Sequence, residues 1–262
     1  MQKKKVSIVL GSGGARGITH IGVLKYLLDN NYEIDEVVGC SIGALVGAAF
    51  AEGKINELGE WMSKLTKREV FRLMDFSDPR FSLLKGDRII TTLQEVFLDT
   101  KIENLNLKYT AVATDLVTES ELIIRSGYIY DAIRASIAIP AVFRGVQVEN
   151  KFLVDGGVLN PLPINHVLNK ENIIIAVNLD GPPLLTTALE YNKLNSIGIL
   201  MESYRIMRRQ LAELNIALYK PDYTIHIPHN ISGIWDFDKA SVLIARGYQL
   251  AKDVMETSNS QK

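Results

Sequence analysis

Val37-Val38-Gly39-Cys40-Ser41-Ile42-Gly43-Ala44-Leu45 joins an apolar run to a helical pattern through a G-x-S-x-G pentapeptide. In such a turn a serine leaves the end of a strand on a tight, strained bend that exposes its Oγ. Gly39 and Gly43 let the neighbouring backbones pass with no Cβ between them. A helix predicted from Ile42 to Phe50 starts directly after Ser41, so its N-terminal dipole favours negative charge developing there. The pentapeptide also occurs by chance; two other stretches give it meaning.

The first is Val6-Ser7-Ile8-Val9-Leu10 followed by Gly11-Ser12-Gly13-Gly14-Ala15-Arg16-Gly17 and then Ile18 to Leu24 at helical spacing. Successive N–H groups in a strand–glycine–helix turn form an anion cradle. A nucleotide site fits it badly. A dinucleotide fingerprint starting at Gly11 needs glycine where Arg16 stands, and Glu36-Val37-Val38 runs into Gly39-Cys40-Ser41 rather than a ribose-binding acid. Arg16-Gly17-Ile18 does not supply the Gly-Lys-Ser/Thr of a P-loop. An oxyanion hole suits the loop better.

The second is Phe152-Leu153-Val154-Asp155-Gly156-Gly157-Val158, an aspartate after an apolar strand and before two glycines. Taken alone it reads equally as a hairpin or loop turn, since Asp-Gly is a common turn signal.

In this order the three motifs resemble the patatin-like phospholipase family: glycine-rich loop, serine elbow, then Asp-Gly-Gly. Ala135-Ser136-Ile137-Ala138-Ile139-Pro140 is similar to the family's A-S-x-A-x-P segment, and Asn160-Pro161-Leu162-Pro163 follows the aspartate as it usually does there. The resemblance runs from about Lys5 to Asp180 and is closest to compact single-domain bacterial members. One position departs: Ser12 stands where the first glycine of the loop usually falls, whereas Gly13, Gly14, Arg16 and Gly17 match.

The resemblance implies a serine hydrolase acting on carboxylic esters of lipids or lysophospholipids. Ser41 is then the nucleophile and Asp155 its direct base, a dyad working through an acyl-enzyme. Gly13 and Gly14 form the oxyanion hole, with Gly11, Ser12, Arg16, Gly17, Gly39, Gly43, Gly156 and Gly157 as supporting motif positions. Arg16 either orients the loop or meets a phosphate, and the structural role is favoured. Cys40 is expected to turn away from the pocket into the core. Two alternatives stand. An α/β-hydrolase triad also uses G-x-S-x-G, and His166, His226 and His229 follow Asp155, but its elbow normally comes after several strands. The other is a non-catalytic lipid-binding or scaffold domain.

Composition is ordinary for a globular protein. With 262 residues, 47% hydrophobic and 23% charged, the chain suits one α/β domain over residues 1–262. A formal net charge of −1 provides no global field for nucleic acid or an anionic membrane. Lys3-Lys4-Lys5 precedes an apolar run that breaks at Gly11, too short for a signal peptide, and no stretch approaches the ~18 apolar residues of a membrane span. Cytoplasmic residence is the default expectation. The single cysteine excludes an internal disulfide, and the four histidines show no zinc spacing, so neither metal nor cofactor is expected.

Strands are predicted at Val6–Leu10, Glu33–Gly39, Tyr109–Thr114, Glu121–Ser126, Gln147–Val154 (with a hairpin near Glu149-Asn150-Lys151), Ile173–Leu179 and Tyr223–Ile227. Helices are predicted at His20–Asp29, Ile42–Ala51, Asp87–Phe97, Tyr130–Ser136 and Pro163–Asn169. The alternation implies a three-layer α/β sandwich, a mostly parallel sheet with helices on both faces, and ligands beyond the carboxyl ends of its strands. Trp61 to Gly86, with Leu65, Val70, Phe71, Leu73, Met74, Phe76, Phe81, Leu83 and Leu84, reads as a flap over an acyl pocket or as a peripheral insertion. Asn195 to Tyr219 reads as a long helix with Ile197, Leu200, Met201, Tyr204, Met207, Leu211, Leu214 and Leu218 on one side and Glu202, Arg205, Arg208, Arg209 and Glu213 mostly on the other. Its apolar side packs on the sheet, or serves peripheral membrane contact or a homo-oligomer. No stretch reads as a head-group pocket or an interfacial basic patch. The expected activity is broad carboxylester hydrolysis, strongest on lipid-like or lysophospholipid esters, with weak or no action on intact bilayers.

Overall fold

A computed structural model describes residues 3–78, 82–184 and 195–259. Phe81 and the side chain of Ile197 fall outside what it describes. The apolar runs form the strands β1 (Lys4–Leu10), β2 (Tyr32–Cys40), β3 (Lys108–Asp115), β4 (Ser120–Ile124), β5 (Val146–Val148), β6 (Lys151–Asp155), β7 (Ile173–Gly181) and β8 (Tyr223–Pro228). Hydrogen-bonded neighbours run β5-β6-β3-β2-β1-β7-β8, with β4 also on β3. The pairs among β1, β2, β3, β7 and β8 are parallel; β4, β5 and β6 pair antiparallel. The hairpin splits the Gln147–Val154 run into β5 and β6 about Glu149-Asn150.

The helices are α1 (Thr19–Asp29), α2 (Ile42–Ala51), α3 (Ile55–Ser63), α4 (Lys67–Leu73), α5 (Asp87–Leu93), α6 (Ile129–Ser136), α7 (Ser196–Tyr219) and α8 (Ala240–Asn259). The central strands are apolar on both sides, as a sheet covered on two faces requires. Val6, Ile8 and Leu10 point into the larger core with α1, α2, α3 and α8. Val9, Val38, Val112 and Ala176 point the other way, under Leu162, Ile164, Val167 and Ala212 of α7. The three layers expected from the sequence are present.

Two expectations need correction. Pro163–Asn169 is not a helix; only the single 3-10 turn Ile164–His166 forms. The N–H groups of Leu168 and Asn169 donate to the carboxylate of Glu36, at 2.6 and 3.0 Å, and are lost to any helical ladder. Helix α7 is also rolled relative to the expectation that its apolar side packs on the sheet. Ile199, Leu200, Met207, Leu214 and Leu218 are exposed, while Arg208 and Ala212 are buried and Glu202, Tyr204 and Arg205 half-buried. A buried carboxylate at the end of β7 draws the cationic side of the helix inward.

Candidate active site

Ser41 connects β2 to α2 at φ 56° and ψ −124°. A non-glycine residue there stores roughly 1–3 kcal/mol of strain, so its surroundings must hold it. Its N–H donates to Ser136 Oγ at 2.8 Å, and the Ser136 hydroxyl donates to the Val112 carbonyl at 2.6 Å. The Ser41 carbonyl accepts from Ala44 and Leu45, opening α2. That helix starts against β1: a Cβ on Gly43 would collide with the Leu10 carbonyl. Gly39 faces the backbone of Gly43 and Ala44, and Gly17 lies against Ile42.

Register along β3 brings Asp155 to this corner. Cys40 pairs with Val112, and Asp155 pairs with Ala113, the next residue. Strand β4 occupies the other edge of β3 over Ala111 to Asp115, so β2 and β6 meet end to end on one edge. Two residues 114 positions apart in sequence, Ser41 and Asp155, are thereby neighbours. Asp155 is wholly buried. Its Oδ1 accepts from the Gly157 N–H at 2.7 Å, and Oδ2 makes no hydrogen bond. Burial raises its pKa to about 6, against the opposing influences of the Ser41 hydroxyl, Gly157 N–H and Arg208. Gly156 is pressed against the Val112 carbonyl.

The glycine loop closes the corner. Gly11, Ser12 and Ala15 donate their N–H groups to Val177, Pro161 and Ile234. Among the described residues the N–H groups of Gly13 and Gly14 have no such partner, and both residues line the same cavity as Ser41. Gly14 sits at φ 60°, where an L side chain is disfavoured. Arg16 is buried and holds the loop: Nε donates to the Gly13 carbonyl at 3.0 Å, Nη1 to His229 O at 2.9 Å and Nη2 to Asp180 at 3.1 Å. Desolvation lowers its pKa to about 10, still cationic at neutral pH.

Sequence reading missed Asp180 and Arg208. Both Asp180 oxygens accept from Arg208 Nη2 at 2.8 Å, and Arg208 Nη1 donates to Ser12 Oγ at 3.1 Å. The serine at the unusual loop position therefore has a partner on α7. Arg208, Arg205, Tyr204 and Glu202 line the cavity, so α7 presents it with a polar wall. Tyr204 Oη, Arg205 Nη1 and Arg208 Nε are buried without acceptors. The three-residue charge spacing on α7 was the available signal, but it reads as a solvent face until β7 supplies Asp180.

Cys40 is buried and does not line the cavity, as expected, yet it lies against Asp155. Its Sγ lies 3.9 Å from Asp155 Oδ1, and burial beside that carboxylate raises the thiol pKa well above its usual value. No histidine hydrogen-bonds to Ser41 or Asp155 among the described residues. His20 meets the Gly11 carbonyl at 2.9 Å, with its pKa lowered by burial to about 4; His166 meets Glu121, His226 meets Asn178 and His229 meets the Gly181 carbonyl.

From Ser41 the cavity, about 370 Å³, extends between apolar side chains including Leu45, Leu65, Leu73, Ile89, Leu93 and Phe143. The Trp61–Gly86 segment thus supplies much of its wall. Asp75 fixes the base of that segment by accepting from the N–H groups of Gly86, Asp87 and Arg88.

A strained serine turn, a buried carboxylate and a glycine loop at one edge of a mostly parallel sheet define a class of α/β proteins built on a strand–turn–helix serine elbow. Within it the family model for patatin-like phospholipase matches residues 8–168, and the chain belongs to that family. An uncharacterized NTE family protein of Mycobacterium tuberculosis is 40% identical over 178 residues, covering 68% of this chain and 49% of that protein. The neuropathy target esterase sws of Drosophila melanogaster is 32% identical over 178 residues, 64% of this chain and 12% of the fly protein. The chain spans half or less of the length of these relatives. VipD from Legionella pneumophila shares the fold, with a TM-score of 0.54 at 13% identity over 98% of this chain and 67% of that one. Asp180 and α7 lie beyond the matched residues.

Proposed function

We propose that this chain is a serine hydrolase that cleaves carboxylic esters of lipids, lysophospholipids among them, through Ser41 and Asp155. The observation that carries the reading is the β3 register, which puts the buried carboxylate beside the strained serine. Serine is a weak nucleophile until a base takes its proton. A carboxylate of pKa about 6 is ionised at neutral pH yet basic enough to accept that proton as attack proceeds. Oγ then bonds to the ester carbonyl carbon, and the oxyanion meets the N–H groups of Gly13 and Gly14 and the N-terminus of α2. Each such donor is worth on the order of 3 kcal/mol in the transition state. Collapse breaks the C–O bond; the alcohol leaves with the proton from Asp155, giving the acyl-enzyme. Water, deprotonated by Asp155, then releases the acid and returns the proton to Ser41.

The apolar arm of the cavity suits an acyl chain, and the polar wall of α7 suits the oxygen-rich alcohol part of the ester. The absence of any histidine bonded to Ser41 or Asp155 among the described residues favours the dyad over a triad. The relatives' names, an esterase and a phospholipase family, agree with the reaction class.

The test is labelling with a fluorophosphonate, followed by turnover of acyl esters of graded chain length beside mono- and diacyl-phospholipids. Labelling and turnover should both vanish in Ser41→Ala. Turnover should survive EDTA, because no step calls for a Lewis acid. Retained activity in Ser41→Ala would refute the assignment, and loss of activity on replacing any one histidine in a folded variant would favour the triad.

A further inference from the structure

Lys64-Leu65-Thr66-Lys67-Arg68-Glu69-Val70-Phe71-Arg72 carries four cations and one acid in a chain of net charge −1. Thr66 and Glu69 close a capping box at the start of α4, so the one acid is bonded to the helix N-terminus. Its four cations are exposed. One helical turn sets Lys67 beside Phe71 and Arg68 beside Arg72, while Val70 and Leu73 face the cavity. Helix α4 buries none of its residues fully.

Phe71 and Phe76 are 61% and 63% exposed, and their rings touch, with centroids 5.9 Å apart. Ile234 and Trp235 line the cavity and are also exposed, which marks where it reaches the surface beside α4. The 3-10 turn Phe237–Lys239, which directly follows, packs on α4. Exposed aromatics at the mouth of an apolar cavity, with the α4 cations beside Phe71 and with Asp236 next to Trp235 paired to Lys239, form an amphipathic surface whose two halves call for one partner, apolar beneath and anionic above. A second copy docking face to face would set Lys67, Arg68 and Arg72 against themselves. An anionic lipid layer satisfies both halves.

We propose that α4, with Phe76 and Trp235 beside it, is the face by which this protein sits on an anionic lipid surface, with the cavity mouth turned toward the lipid. The proposal rests on the hydrolase reading for why the face lies at the mouth, though not for the binding itself.

Sedimentation of the whole chain with vesicles of phosphatidylcholine, alone or mixed with phosphatidylglycerol, tests it without turnover. Binding should require the anionic lipid and weaken as salt rises. Neutralising two cations, in Lys67→Gln/Arg68→Gln, should weaken it about 30-fold at low salt. Phe71→Ser should weaken it about tenfold or more. All these side chains are exposed, so melting temperatures should stay at the wild-type value and keep misfolding apart from lost binding. Equal binding to both vesicle types, no binding to either, or unaltered binding by the folded variants would overturn the proposal. So would light scattering that shows Phe71→Ser only dissolving a dimer. Hydrolysis of a short soluble ester by the wild type, measured in parallel, reports on the hydrolase reading alone.

Discussion

The backbone N–H of Ser41 donates to Ser136 Oγ at 2.8 Å, and the Ser136 hydroxyl in turn donates to the Val112 carbonyl of β3 at 2.6 Å. The hydroxyl links the strained turn to the strand that also registers Asp155. Ser136→Ala leaves a buried N–H without an acceptor, at a cost of about 1–3 kcal/mol. It should lower stability by that amount and reduce kcat more than it raises KM. Denaturant melts and steady-state kinetics on a soluble ester check both; an unchanged kcat would show that the elbow holds itself.

Asp155 yields a prediction with a definite sign. Its pKa in the fold, about 6, lies above the ordinary 3.8, so the folded chain binds this proton more tightly than the unfolded one. Its contribution to stability therefore falls as pH rises from about 4 to about 6 and is level beyond. Asp155→Asn removes that penalty and should be more stable than wild type at neutral pH, by a few kcal/mol at most. The gain should fade below pH 4. In wild type, kcat/KM should rise through pH 6, and the variant should be inactive. Thermal melts across pH 4 to 8 decide it, and a variant less stable at pH 7 would count against the buried, ionised base.

Gly43→Ala should be among the most damaging single-methyl additions. The new Cβ would run into the Leu10 carbonyl, backbone that cannot swing aside, and α2 would have to move with Ser41 attached. We expect a loss of roughly 1–3 kcal/mol or more, with most activity gone even where the chain stays folded. Circular dichroism separates the two effects.

Asp180 is shared by two guanidiniums, Arg16 and Arg208, all three nearly inaccessible. Asp180→Asn leaves both cations without their counter-charge, and breaking a buried pair in this way costs about 3–5 kcal/mol. The chain should melt at markedly lower denaturant. Arg208→Gln, which leaves the Arg16–Asp180 pair, should cost less. Equal melting of Asp180→Asn and wild type would show the cluster to be idle.

Short stretches of sequence carry the local motifs of this fold. The glycine loop, the serine elbow and the Asp-Gly-Gly turn each need particular residue types at neighbouring positions, because backbone sterics act over one or two turns. The central apolar runs became strands because a sheet covered on both faces favours mostly apolar segments, with buried polar residues such as Ser7, Glu36 and Asp180 individually paired. The cations of α4 were not read as a patch, because a chain-wide charge near zero hides a local cluster.

Which of these motifs meet depends on strand register and burial in the folded chain. Asp155 reaches Ser41 only because β2 and β6 end against consecutive residues of β3, a register that no local pattern contains. Ser136 became the anchor of the elbow through the same strand. The charged side of α7 turned inward because Asp180, 28 residues earlier, is buried at the end of β7 and must be paired. Leu200, Met207, Leu214 and Leu218 were left outside as a result. A helix of this composition, read alone, hides its leucines from water. Burying an unpaired carboxylate costs more than exposing a few apolar side chains, and that comparison exists only once the strand and the helix are side by side.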